Sequence, residues 1–153
     1  MTESVPFIGA DKTWAELGYQ GEGTVVAVID TGLYTNHEAF EIQPTSPRIS
    51  KDDITNVLNT VDLSAKAYGQ LAVKDVFISN KIPFVFDYAD KDSNVSGGGD
   101  HGTHVAGTVA ASGSVTPNEE GIKGVAPEAQ LIILKVFSDI DTGASTTDIL
   151  AAI

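Results

Sequence analysis

The run Thr24-Val25-Val26-Ala27-Val28-Ile29 has no polar interruption, is rich in β-branched residues, and is closed by Asp30-Thr31-Gly32. A strand that is apolar on both faces must be covered from both sides. Strands of a parallel sheet with helices packed on its two surfaces meet that requirement. Two further runs read as strands, residues 84–88 (Phe-Val-Phe-Asp-Tyr) and 131–137 (Leu-Ile-Ile-Leu-Lys-Val-Phe). Helical patterns fall between and around them: 11–18, closed by Gly18; 50–59; 70–77; 102–111; and a last one starting near Thr146. In the segment 102–111, Val105, Ala106, Val109 and Ala110 share one face, and Gly102 and Gly107 permit close backbone approach. Strands alternating with helices give an α/β class with a parallel sheet and helices on both faces.

One domain is expected. Residues 1–23 form a lead-in and 24–153 the α/β part, with no internal repeat. Loops are marked by Pro44 and Pro47, by 90–100 with Gly97-Gly98-Gly99, and by 112–121. Nine basic against twenty-one acidic residues give a net charge of −12. Such a chain repels phosphate backbones and anionic lipid, so no nucleic-acid or membrane-surface partner is expected, and no apolar run is long enough to cross a bilayer, so no membrane insertion is expected. The absence of cysteine excludes disulfide scaffolds, zinc ribbons and thiol catalysis. Met1 is followed by Thr2-Glu3-Ser4, without the basic start and apolar stretch of a secretory signal. The segment 146–153 begins like a capped helix and stops in mid-turn, so the chain reads as a piece of something longer.

Working residues of such sheets gather at the carboxyl ends of the strands. Asp30 stands at one such end, and 138–143 leaves another. The second chemically dense segment is Asp100-His101-Gly102-Thr103-His104-Val105-Ala106-Gly107-Thr108. It places an imidazole at the mouth of a helix that has almost no bulky neighbours. A buried carboxylate can accept from one imidazole nitrogen, fix the tautomer and stabilise the charged ring, while the other nitrogen takes a proton from a hydroxyl. Taken singly, each residue has a plainer reading. Asp30 can be a turn residue after a strand. His101 can be a helix-start residue, and His104 a packed helix residue. His101 and His104 are spaced i, i+3, but His-Gly-Thr-His is not a zinc-helix motif and no third ligand is marked, so no metal is assigned.

Val28-Ile29-Asp30-Thr31-Gly32 and His101-Gly102-Thr103-His104-Val105-Ala106-Gly107-Thr108 resemble the Asp and His signatures of the subtilisin-like serine proteases. Gly124-Val125-Ala126-Pro127-Glu128-Ala129-Gln130-Leu131 resembles the stretch that follows the His helix in that family. The segments 19–24 and 87–90 and the long insert between Asp30 and His101 resemble the cell-envelope subtilases of Gram-positive bacteria, lactocepin-like and C5a-peptidase-like enzymes. The resemblance implies a truncated subtilisin-like fold and a serine endopeptidase acting on polypeptides, secreted or held in the bacterial envelope. It implies Asp30 as orienting acid, His101 as general base and a non-catalytic His104. Residues 137–144, with Phe137, Ser138, Asp139 and Gly143, would line the substrate cleft and pair with an extended peptide. No cofactor is required for such catalysis, and structural calcium is allowed.

The chain departs from the family at one decisive point. The family's nucleophile lies in a Gly-Thr-Ser motif, which is absent here. Ser96, Ser112, Ser114 and Ser145 lack its context. The chain therefore supplies two of three triad members and is expected to be inactive alone, needing the remainder of its catalytic domain as partner. Exposed strand edges would let copies of the fragment associate. Asp90-Lys91-Asp92-Ser93-Asn94 begins like a calcium loop but has Val95 and His101 where Gly and Glu are needed, so it reads as a solvated acidic loop, with a weak calcium site there or in 112–121 as the alternative. Two other functions compete with the peptidase. A folded fragment that only packs or binds peptides needs no nucleophile. An aspartic protease would use Asp-Thr-Gly twice in an all-β fold.

Overall fold

The computed structural model describes residues 3–113, 121–140 and 143–153. The lead-in holds two helices, α1 (Ser4–Phe7) and α2 (Ala10–Leu17). Gly18 ends α2 in the left-handed region, at φ 73°, and its N–H donates to the Trp14 carbonyl. Strand β1 (Val25–Asp30) follows. Helix α3 (Lys51–Thr60) starts at a capping box, in which Ser50 and Asp53 satisfy each other's backbone N–H groups. The expected helix over 70–77 is shorter: α4 covers Val73–Val76, and a separate 3-10 turn covers Ser64–Tyr68. Gly69, at φ 149°, separates the two. Then come β2 (Phe84–Asp87), α5 (His101–Ala110), β3 (Gln130–Lys135) and α6 (Thr146–Ala152), the last capped by the Ser145 hydroxyl accepting from the Thr147 N–H.

The three strands are parallel in the order β1-β3-β2. Side-chain alternation sends Leu131 and Ile133 of β3 and Val85 of β2 to one face, against Ala106 and Ala110 of α5. Phe84, Phe86 and Leu134 go to the other face, against Ile54 of α3, Val76 of α4 and Ala152 of α6. Helices thus lie on both faces, as expected. The small residues of α5 let the following segment come close. A side chain at Gly124 would strike the α5 backbone at Ala110.

The expectation that residues 24–29 are covered from both sides holds for one side only. Val28 is buried with α5, whereas Ala27 and Ile29 on the opposite face are exposed, Ile29 by 37%. β1 is an edge strand among the described residues, and α3, α4 and α6 cover β2 and β3.

Candidate active site

Asp30 ends β1, where the Asp30 carbonyl accepts the Val136 N–H and anchors the strand end to β3. The next residues turn sharply. Gly32 has φ 113°, and a Cβ there would collide with the Val95 carbonyl, while the Leu33 N–H donates to that same oxygen at 2.7 Å. This turn meets the start of α5. Asp100, the residue before the helix, makes no side-chain cap. The Thr31 hydroxyl takes that place from 71 residues away, accepting the Gly102 N–H at 2.9 Å. Gly102 lies so close to the Gly32 carbonyl that any side chain would overlap it. Thr103 completes the contact by accepting the Tyr34 N–H at 3.0 Å.

This packing sets His101 against Asp30. The ring Nδ1 lies 2.8 Å from Oδ1 and 3.0 Å from Oδ2 of the carboxylate. Oδ1 also accepts the Thr31 N–H at 2.7 Å. Burial pushes the Asp30 carboxyl up, but the bonds from His101 and Thr31 outweigh it and hold its pKa below the ordinary value. The Asp30 side chain is only 15% exposed, whereas the His101 side chain is 72% exposed. With Nδ1 committed to the carboxylate, Nε2 is the nitrogen left for a substrate or a hydroxyl. His104, expected to be a packed helix residue, is exposed one turn further along α5.

Beside this pair lies a cavity of about 430 Å³, lined by Thr31, Gly98, Gly99 and Phe137, Ser138, Asp139 and Ile140. Three of the four expected cleft residues, Phe137, Ser138 and Asp139, therefore share one wall with the residue next to Asp30. Gly143 is not part of that lining. It sits beside Ala144, which bridges back to Phe137 in an antiparallel pair. Asp141 and Thr142 of the same expected loop lie outside the described residues, as does Ser114.

Sequence reasoning missed two features. In sequence Thr31 is only part of the segment that closes the first strand, and its capping role arises from a distant partner. Lys135 falls inside a strand-like run, yet its ammonium is the centre of a charged cluster. It is fully buried and meets Asp87 at 2.6 Å, Asp90 at 3.0 Å and Asp139 at 3.0 Å. Burial alone would lower its pKa, but the three carboxylates raise it above the ordinary value. A lysine inside an apolar run was the available signal, since a buried ammonium needs acidic partners.

The segment 90–94 spends its side chains on the chain itself. Asp90 accepts from Ser138, from the Asp139 N–H and from Lys135, Asp92 accepts the Asn94 N–H, and Asn94 accepts the Ser96 N–H. Among the described residues, no three His, Asp or Glu side chains gather around a site for a metal ion. Of the other calcium candidate, 112–121, residues 114–120 lie outside the described set. A parallel sheet flanked by helices is also not the all-β fold that an aspartic protease would need.

The model of the subtilase family, Peptidase S8, matches residues 21–153. Among curated relatives, the PII-type proteinase of Lacticaseibacillus paracasei is 34% identical over 137 residues, covering 87% of this chain and 7% of the relative. The minor extracellular protease Vpr of Bacillus subtilis is 35% identical over 157 aligned positions, covering 100% of this chain and 14% of the relative. A C5a peptidase of Streptococcus pyogenes is 35% identical over 128 residues, 82% of this chain and 10% of the relative. The chain thus spans only a small part of the length of the curated relatives it matches.

Proposed function

The chain belongs to the subtilase family, and from that premise we propose that it supplies the acid and the base of a serine endopeptidase's catalytic triad. The observation that carries this reading is the bond of His101 Nδ1 to both oxygens of Asp30, at 2.8 and 3.0 Å. The carboxylate holds the neutral ring in the tautomer with the proton on Nδ1. Nε2 then has a lone pair to take the proton of a serine hydroxyl as that oxygen attacks a peptide carbonyl. The imidazolium formed is stabilised by Asp30, and its Nε2 proton passes to the leaving amine.

The substrate is a polypeptide in extended form, laid along 137–140 beside Thr31, with backbone pairing supplying affinity. The nucleophile comes from sequence other than the 153 residues here, because no Gly-Thr-Ser motif is present. The chain by itself has no peptidase activity. Secretion or attachment to the cell envelope fits this reading, and one relative is by name an extracellular protease.

The test is hydrolysis of a protein substrate by a longer polypeptide that carries this sequence together with a subtilase nucleophile segment. His101→Ala should abolish turnover, and His104→Ala should retain it. Equal loss in both variants with intact folding would sink the assignment, as would labelling of the isolated chain by an active-serine probe.

A further inference from the structure

The charge around Lys135 exceeds what neutralisation needs. Asp87, 1% exposed, is enough to pair the buried ammonium, yet Asp90 and Asp139, with side chains 28% and 42% exposed, also reach in. Water could solvate those two carboxylates, so drawing them inward has a cost in side-chain freedom. What they bring with them is the cleft wall. Asp90 accepts the Ser138 hydroxyl at 2.7 Å and the Asp139 N–H at 2.9 Å, and Ser138 in turn accepts the Ile140 N–H at 3.1 Å. The aliphatic stem of Lys135 runs beneath Gly32 and Gly98, and Gly97 lies against the Asp139 carboxylate. One ammonium therefore fastens 138–140, the 87–90 turn and the glycine loop around a single point beneath the cavity.

We propose that Lys135 is a positioning residue for substrate: through Asp90 and Asp139 it holds segment 138–140 in the conformation that receives an extended peptide, and so governs affinity without touching the reacting bond. This rests on the peptidase reading. A purely structural ion cluster would change the melting temperature alone. A positioning cluster also changes peptide binding by molecules that are fully folded.

The probe is a fluorescent, capped hexapeptide with a reduced, uncleavable central amide, titrated against the longer polypeptide and its variants. Asp90→Ala is the primary variant, because Asp90 is outside the cavity lining and its loss leaves Lys135 paired with Asp87. It should weaken the dissociation constant by about tenfold, and raise KM to match with kcat within about twofold. Lys51→Ala, which removes an exposed charge on α3, should leave both unchanged. Lys135→Met should resemble Asp90→Ala wherever it folds, although it strands the Asp87 carboxylate. A folded Asp90→Ala that binds the hexapeptide like wild type, or that loses kcat with binding intact, overturns the proposal. Wild-type protein that fails to hydrolyse any peptide while the binding shifts remain would remove the peptidase reading and leave the positioning role standing.

Discussion

Asp30 and Lys135 are register partners across β1 and β3, yet the carboxylate of one bonds His101 while the ammonium of the other is held by three different carboxylates. The sheet brings an acid and a base to adjacent strand ends and keeps them apart in function. Asp87, Asp90 and Asp139 satisfy Lys135, while the Asp30 carboxylate takes the imidazole on both oxygens and the Thr31 N–H on one of them.

Replacing Asp30 with Asn tests the acid. The amide can keep the shape of the contact but offers its NH₂ to Nδ1 and favours the wrong tautomer. Turnover by the longer polypeptide should fall on the order of 10⁴-fold with far-ultraviolet dichroism unchanged. A loss below tenfold would show that this carboxylate does not orient the base.

Thr31→Val tests the cap supplied from outside the helix. The variant keeps the shape of the side chain and removes the acceptor for the Gly102 N–H. A destabilisation of about 1 kcal/mol, within the range of lost helix caps, should appear as a lower urea midpoint. Gly102→Ala should cost more, roughly 1–3 kcal/mol, because the new methyl overlaps the Gly32 carbonyl. If Gly102→Ala unfolds at the wild-type midpoint, the close approach of the two segments is not real.

Acid should weaken the fold through Asp90. The Asp139 N–H, the Ser138 hydroxyl and the Lys135 ammonium hold the Asp90 pKa at about 2, below the value of 3.8 expected of an unperturbed Asp. As pH falls, the unfolded chain takes up this proton first. The stabilisation is therefore complete above about pH 4 and fades as pH drops toward 2. Urea midpoints of wild type and Asp90→Asn should differ at pH 6 and converge at pH 2. A gap that stays constant over that range would show that ionisation of Asp90 contributes nothing.

Exposed apolar surface on β1 should make the 153-residue chain associate. Among the described residues β1 pairs with β3 alone, and Ile29 on its uncovered face is 37% exposed. Sedimentation should show species heavier than the 16.0 kDa chain as concentration rises, and Ile29→Lys should suppress them. A monomer at every concentration would show that this edge is well protected.

The pairing of Asp30 with His101 was readable because the two segments together resemble the Asp and His signatures of the subtilases; taken singly, a strand-end Asp and a helix-start His are ordinary residues. Asp30 needs a strand end and a Gly after it. His101 needs a helix start with small neighbours. Positions depending on partners far along the chain were not readable in that way. Thr31 looks like any turn residue until Gly102 is beside it. Lys135 announces only that it needs acids, and Asp87, Asp90 and Asp139 sit in three separate segments. Apolarity on both faces of β1 states what the strand requires, which is more than the described helices supply. The helix expected over 70–77 is confined to Val73–Val76 because the backbone is extended at Ala72 and again at Phe77.

The hydroxyl of Thr31 finishes the first turn of α5 while the backbone of the same residue grips the acid that the helix's imidazole will face. Until the strand end has docked, the helix lacks a completed beginning. One residue thus sets both where the helix begins and how the carboxylate facing His101 is turned, so any shift of this strand end displaces the two together.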